Sequence, residues 1–397
     1  MPDRAIGIYV SVPFCRSKCT YCNFASGVYP ASEHQRYIAR VIEEVTGAAG
    51  WAASLGLDLP RRVDTIYLGG GTPSLLGPEL FEQLFSSIRE EFDVDLNAEV
   101  TVECAPGQIA QATLDAMIKA GVNRVSLGVQ SFIDKEAHES GRLHSRDVVL
   151  EDLRRLKAAG ISNLNVDLIA GLAGQTFASW DESLGVLLES GIPHASVYML
   201  EVDEDSRLGR ELMAGGARYR AGLVPSDDAI AKMYETAISR LESEGLNQYE
   251  ISNFARAGFE SRHNLRYWQR RPYLGVGLDA SSMLRDREGE FVLRATTTDS
   301  LKGYLDGEMA RETAWLSPER QLEEAWFLGL RTNTGVDPAD LEREFGPPVM
   351  GSVEVAKRLV VDGLLVCEDG RFRLTPRGRM VSNDVFQEFL AERESVS

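Results

Sequence analysis

Ile6-Gly7-Ile8-Tyr9-Val10-Ser11-Val12-Pro13-Phe14-Cys15-Arg16-Ser17-Lys18-Cys19-Thr20-Tyr21-Cys22 joins a β-branched, apolar run to three closely spaced cysteines. The run has strand composition. The chain has 5 cysteines in 397 residues, an odd and low count that argues against a disulfide framework and for metal or redox chemistry. Thiolates are soft ligands that suit zinc or iron–sulfur clusters. A structural zinc site needs a fourth ligand, yet no histidine lies within a few residues after Cys22. A cubane held by Cys15, Cys19 and Cys22 leaves one iron open to a small molecule that carries an amine and a carboxylate. Incidental or zinc-binding cysteines are the competing reading, against which the tight spacing weighs. Cys104 and Cys367 are isolated and read as ordinary buried thiols.

Outward from this stretch, strand-like runs recur at Ile6–Val12, Thr65–Leu68, Glu99–Glu103, Arg124–Gly128, Asn163–Ile169 and Ala195–Glu201. Amphipathic stretches at His34–Ala48, Pro78–Phe92, Ile109–Ala120, Asp147–Ala159 and Ala178–Glu189 lie between them. Gly121, Gly160 and Gly191 stand where helix C-caps belong. Alternating strand and helix predicts an α/β fold with parallel strands and right-handed crossovers. Six units predict an open, partial (β/α) barrel, although a doubly wound sheet fits the same count.

Residues 203–300 are less regular, with a helix expected from Ser226 to Glu244 and then the segment Tyr249–Tyr273. Beyond Ser300, helices are expected at Glu319–Arg331, Pro338–Phe345 and Val349–Asp362. Leu364–Cys367 and Phe372–Leu374 flank Asp369-Gly370, a hairpin signal. Three helices and a hairpin predict a winged-helix-like C-terminal module. The expected organisation is a core over 1–245, a segment over 246–300 that completes it, and the C-terminal module over 301–397.

The net charge of −18 disfavours nucleic acid and anionic membranes as partners, so the C-terminal module is expected to be a lid or partner surface. No apolar run reaches the roughly 18 residues of a membrane span. The N-terminus lacks a signal-peptide pattern, and a cytoplasmic location is expected.

Ligand sites of parallel βα folds lie at the C-terminal strand ends. Here these carry Gly69-Gly70-Gly71-Thr72-Pro73, Glu103, Gln130-Ser131, Asp167 and Leu200-Glu201. CxxxCxxC after a first strand, with the aromatic Tyr21 before the last cysteine, resembles the radical SAM superfamily. The set of strand ends resembles its coproporphyrinogen oxidase-like branch, over most of the chain. The resemblance implies a [4Fe-4S] cluster on the three cysteines that cleaves S-adenosylmethionine to a 5′-deoxyadenosyl radical. It also implies cofactor contacts from Tyr9, Tyr21, Gly70, Gly71, Thr72, Glu103, Gln130, Arg142 and Asp167, and from the backbone of Leu200. The Gly-Gly-Thr-Pro loop would receive the methionine amino group, and the polar residues would surround ribose, carboxylate and adenine.

The branch holds oxygen-independent coproporphyrinogen III oxidases of porphyrin biosynthesis and heme-binding chaperones. The oxidases carry CxxxCxxCxC, whereas Phe24 stands at the last position here. They also have a substantial arm before the cluster, where 14 residues precede Cys15. His263-Asn264-Leu265-Arg266-Tyr267 matches the HNxxY motif that the branch associates with heme. Imidazole suits heme iron, and spacing of four places His263 and Tyr267 on one helical face. Arg262, Arg266, Arg270 and Arg271 are available for propionates. The plain alternative is a hydrogen-bonded core histidine. The Gly-rich loop Gly275–Ser282 departs from the family pattern at Asp279 and Ser281. The resemblance therefore favours a heme chaperone that delivers to an acceptor protein, membrane-associated respiratory proteins included. The alternative is the oxidase, which the intact cofactor set supports.

Overall fold

The computed structural model describes residues 5–307 and 311–390. The outer ends of the expected core and C-terminal module, 1–4 and 391–397, lie outside the described residues. Strand β1 (Ala5–Val12) is the axis of the fold. It pairs in parallel with β3 (Arg62–Gly70) on one side and β10 (Tyr273–Val276) on the other. The parallel array continues through β4 (Asp93–Cys104), β5 (Arg124–Gln130), β6 (Asn163–Ala170) and β7 (His194–Met199). Antiparallel strands extend both ends. β9 (Asn253–Ala255) and β8 (Asn247–Glu250) follow β7, while β11 (Ser281–Asp286), β12 (Val292–Thr296) and β13 (Glu312–Leu316) follow β10. The short β2 (Leu57–Asp58) pairs with β11. The order ends at β13 and β8, so the sheet is open. All six predicted runs are parallel strands, and β10 is a seventh.

Ile6, Ile8, Val10 and Val12 alternate along β1 and are fully buried with Ile38, Val41 and Val45 of the Ala31–Ser54 helix. Val100 and Val102, Val125 and Leu127, Leu164 and Val166, and Ala195 and Val197 continue this apolar layer. The intervening residues do not. Both faces of a parallel sheet are normally apolar, but here the concave face carries Tyr9, Thr65, Tyr67, Glu103, Ser126, Asn165, Asp167 and Ser196. Several of these polar groups hydrogen-bond one another or a neighbour. Asn165 Nδ2 donates to Ser126 Oγ at 2.7 Å and to Asp167 Oδ1 at 2.7 Å, and Ser196 Oγ donates to Asn253 Oδ1 at 2.7 Å. The expected helices are present at Pro78–Glu91, Gln111–Lys119, Arg146–Ala158, Phe177–Glu189 and Asp227–Ser243. Three end on left-handed glycines, Gly121, Gly160 and Gly191.

The C-terminal helices Pro318–Leu330, Pro338–Phe345 and Val349–Val361 pack with the hairpin β14 (Leu365–Glu368) and β15 (Arg371–Leu374) around a separate apolar cluster. Trp326 centres it, stacked on Phe389 at 4.7 Å. Asp369 and Gly370 both have positive φ, 51° and 78°, as a type I′ turn requires. Cys367 corrects an expectation: it faces out from β14 and is exposed, whereas Cys104 is buried. Among the described residues, no helix is long and apolar enough to cross a membrane.

Candidate functional site

At the C-terminal ends of the parallel strands lies a cavity of about 580 Å³. One wall is the cysteine loop, which is held by backbone bonds. Cys15 N donates to Gly27 O at 2.8 Å, Gly27 N to Pro13 O at 2.9 Å and Thr20 N to Ser140 O at 3.0 Å. Lys18 Nζ donates to Phe24 O and Ser26 O, both at 3.1 Å. The thiols of Cys15, Cys19 and Cys22 are half-buried and face the cavity. Phe24, at 63% exposure, sits on its rim.

The glycine loop after β3 folds back on the chain leaving β1. Gly71 N donates to Val12 O and Thr72 N to Phe14 O, each at 2.8 Å. A Cβ on Gly71 would stand 2.8 Å from both carbonyl oxygens, so only glycine permits this approach. Thr72 Oγ1 lies 4.0 Å from Cys15 Sγ. Glu103, at the end of β4, accepts from Tyr67 OH at 2.8 Å and from Gly70 N at 3.2 Å. Burial, reinforced by the neighbouring Asp167, pushes its carboxyl up to about 7.

β5 ends in a bulge opposite β6, with Gln130 at a φ of 70°. Such bulges re-aim a side chain at the cost of strain. Gln130 Oε1 is buried in the cavity wall without a partner among the described residues. Arg142 reaches across Gly128 to donate to Tyr21 OH at 3.1 Å, and its Nε also lacks a partner among the described residues. Asp167 accepts from Ser126 at 3.0 Å as well as from Asn165, and its pKa is raised, burial being the main cause. Leu200 spends its own N–H on Ala170 O at 2.8 Å. Asn23 donates to Asp203 at 2.7 Å, strapping the cysteine loop to the segment after β7.

Three thiols, a glycine cradle and unsatisfied buried polar atoms therefore share one cavity, and these residues fit a cluster with a polar organic ligand. Among the described residues, no three His, Cys, Asp or Glu side chains converge on one point as a mononuclear ion needs. A cubane places its three thiolates on three different irons, so the three cysteines need not meet at one point to hold a cluster.

Twelve of the fifteen expected site residues line the cavity, and Tyr9, His263 and Tyr267 do not. Tyr9 lies deeper on β1, its ring 6.1 Å from that of Tyr67. His263 and Tyr267 lie on the Arg262–Trp268 helix, near the opposite strand ends. The residue expected to contact heme, His263, is a buried side chain in this structure. The residue is 0% exposed, with Nδ1 2.9 Å from Thr65 Oγ1 and Nε2 2.8 Å from Tyr267 OH. Both nitrogens are engaged, and burial lowers its pKa to about 3. The arginines meant for propionates also have protein partners: Asp64 for Arg266 and Arg271, Glu344 for Arg270 and Asn97 O for Arg262. The sequence reading missed Gln108, Leu143, His144, Tyr198 and Val202 of the cavity wall. Gln108, Leu143, His144 and Val202 belong to connections without a periodic signal.

The Glu103 shift sets a test. A folded-state pKa above the ordinary value means a stability contribution that is full in acid and lost as pH rises through about 7. Glu103→Gln should therefore stabilise the ligand-free chain at about pH 8 by on the order of 1–2 kcal/mol and leave it unchanged near pH 5. Urea unfolding at both pH values checks this. The gain stays modest because a glutamine amide can accept from only one of the two donors.

The sequence matches the radical SAM superfamily over residues 9–187 and the HemN C-terminal domain over residues 316–381. The heme chaperone HemW of Lactococcus lactis is 34% identical over 400 residues, 99% of this chain and 99% of its own. HemW of Bacillus subtilis is 32% identical over 391 residues, 97% and 99% of the two chains. The mouse mitochondrial radical S-adenosyl methionine domain-containing protein 1 is 30% identical over 408 residues, 97% and 87% of the two chains. The solved structure of coproporphyrinogen III oxidase (HemN) from Escherichia coli superposes with a TM-score of 0.82 at 22% identity, over 98% of this chain and 91% of that one; it shares the fold. The chain therefore belongs to the radical SAM superfamily and, within it, to the HemW family.

Proposed function

We propose that this chain is a heme chaperone. It holds a [4Fe-4S] cluster on Cys15, Cys19 and Cys22, binds S-adenosylmethionine in the adjoining cavity and passes heme to an acceptor protein in the cytoplasm or at the membrane surface. The observation that carries the reading is the similarity to a heme chaperone over 99% of both chains. Phe24 supports it, because it stands on the cavity rim where the related oxidases have a further cysteine. When bound, the reduced cluster supplies the electron that cleaves S-adenosylmethionine. The chain's own part is orientation and shielding. The Gly70-Gly71-Thr72 turn receives the amino group. Gln130 and Arg142 offer their unsatisfied atoms to the ribose and carboxylate, and Glu103 and Asp167 supply acceptors. Tyr21 fixes Arg142, and the Leu200 backbone borders the adenine.

Titration of the purified chain with heme should give a saturable Soret band at one heme per chain, and mixing with a heme-free acceptor should move that heme. A chain that shows no saturable Soret band is not a heme chaperone. The intact cofactor cavity favours a second reading, an oxygen-independent coproporphyrinogen III oxidase. An anaerobic assay with reductant, S-adenosylmethionine and coproporphyrinogen III distinguishes the two by whether the propionates are decarboxylated.

A further inference from the structure

The His263-to-Tyr267 stretch packs against the first ends of β1 and β3, away from the cavity mouth. Backbone N–H groups of Arg262 and His263 donate to the two oxygens of Glu99, each at 3.0 Å, so the helix start is pinned to β4 by a buried carboxylate. The fully buried Arg266 guanidinium binds Asp64, Pro272 O at 2.9 Å and Ala5 O at 3.2 Å, clamping the first ends of β1 and β3. Gly7 leaves room for it, since a Cβ there would stand 2.6 Å from Arg266 Cδ. Above the clamp, the His263 ring centroid lies 5.3 Å from that of Tyr67, and the Tyr67 hydroxyl is the 2.8 Å donor to Glu103 in the cavity wall. Tyr267, bonded to Nε2, meets His263 edge-on at 5.1 Å and Tyr273 of β10 at 4.6 Å. One contiguous stack therefore runs from β10 through Tyr267, His263 and Tyr67 to Glu103.

We infer that His263, held by Thr65 and Tyr267, is a positioning residue that sets Glu103 through Tyr67, and is not a ligand to heme iron. Serving an iron would require the fully buried His263 to abandon its bond to Thr65 or to Tyr267 and would remove the support under Tyr67. The inference rests on the reading that the cavity takes S-adenosylmethionine.

The test uses the full chain with its cluster reconstituted anaerobically, in wild type, His263→Ala, His263→Gln, Tyr67→Phe and the His263→Ala/Tyr67→Phe double variant. Circular dichroism confirms folding. Equilibrium dialysis with S-adenosylmethionine should show affinity lowered about tenfold in His263→Ala and in Tyr67→Phe, with no further loss in the double variant, because both act through the same contact. His263→Gln, whose amide can rebuild the hydrogen bonds, should recover most of the loss. Heme titration of folded His263→Gln should give the wild-type Soret position and affinity. A folded His263→Gln that loses the Soret band overturns the inference by showing an iron ligand. Unchanged S-adenosylmethionine affinity in both single variants, or losses that multiply in the double variant, overturns the positioning role. A wild type that binds no heme defeats the chaperone reading alone, because the S-adenosylmethionine measurements still decide the role of His263.

Discussion

Replacing Cys19 by alanine should give a folded chain that cannot be loaded with a [4Fe-4S] cluster. After anaerobic reconstitution, iron and sulfide content and the broad visible absorption should fall at least about tenfold below wild type, because two thiolates do not retain a cubane that three hold. The fold should survive. The loop is fastened by Cys15 N, Thr20 N and Gly27 N and by the Lys18 ammonium on two carbonyls, and none of these uses the Cys19 thiol. Losses on this scale in stability come from cavities or broken buried networks, and a half-buried loop thiol is neither. Iron analysis beside a thermal melt reads both halves of the prediction. Full cluster content in the variant would place the cluster elsewhere, and a colourless wild type with one zinc would restore the structural-metal reading.

Arg266→Met should lower the stability of the chain by about 3–5 kcal/mol, the scale for breaking a buried ion pair from one side. Methionine fills much of the volume, so the loss is electrostatic. Asp64, 8% exposed, keeps Arg271 at 3.0 Å among the described residues, while Ala5 O and Pro272 O each lose a guanidinium donor. Asp64→Asn keeps an acceptor for Arg266 and should cost less. Urea unfolding should show the midpoint falling with little change in slope. A loss below about 1 kcal/mol would mean that the clamp on the first ends of β1 and β3 contributes little.

The parallel strands were legible because their apolar residues alternate and are rich in β-branched types. Val125 and Leu127 of β5, or Val166 and Leu168 of β6, announce the helix-facing layer. β10 escaped notice because its Tyr273-Leu274-Gly275-Val276 runs straight into Gly277 and reads as part of a glycine loop. Gly275 has a different reason to be glycine: a Cβ there would stand 2.1 Å from Ser281 O of β11. The cysteines and strand-end polar residues were equally legible, since the strand-end rule places them in one cavity. Tyr9 was not, because its position along β1 puts it below the cavity, against Tyr67. His263 shows a different limit. A motif fixes its spacing and helical face, but whether its nitrogens are free depends on Thr65, far away in sequence.

The central place of β1 has a consequence for how the chain is made. Its partner β3 follows soon after it, but β10 emerges only when most of the chain has been synthesised. At roughly 5–20 residues per second, the other edge of β1 waits unpaired for on the order of ten seconds or longer. That edge belongs to Ile6-Gly7-Ile8-Tyr9-Val10-Ser11-Val12, which carries no charge and no proline and has the composition of a segment prone to intermolecular strand pairing. Ribosome-bound chains that have not reached Tyr273 are therefore the form most exposed to aggregation, and the chain needs protection while it is being born.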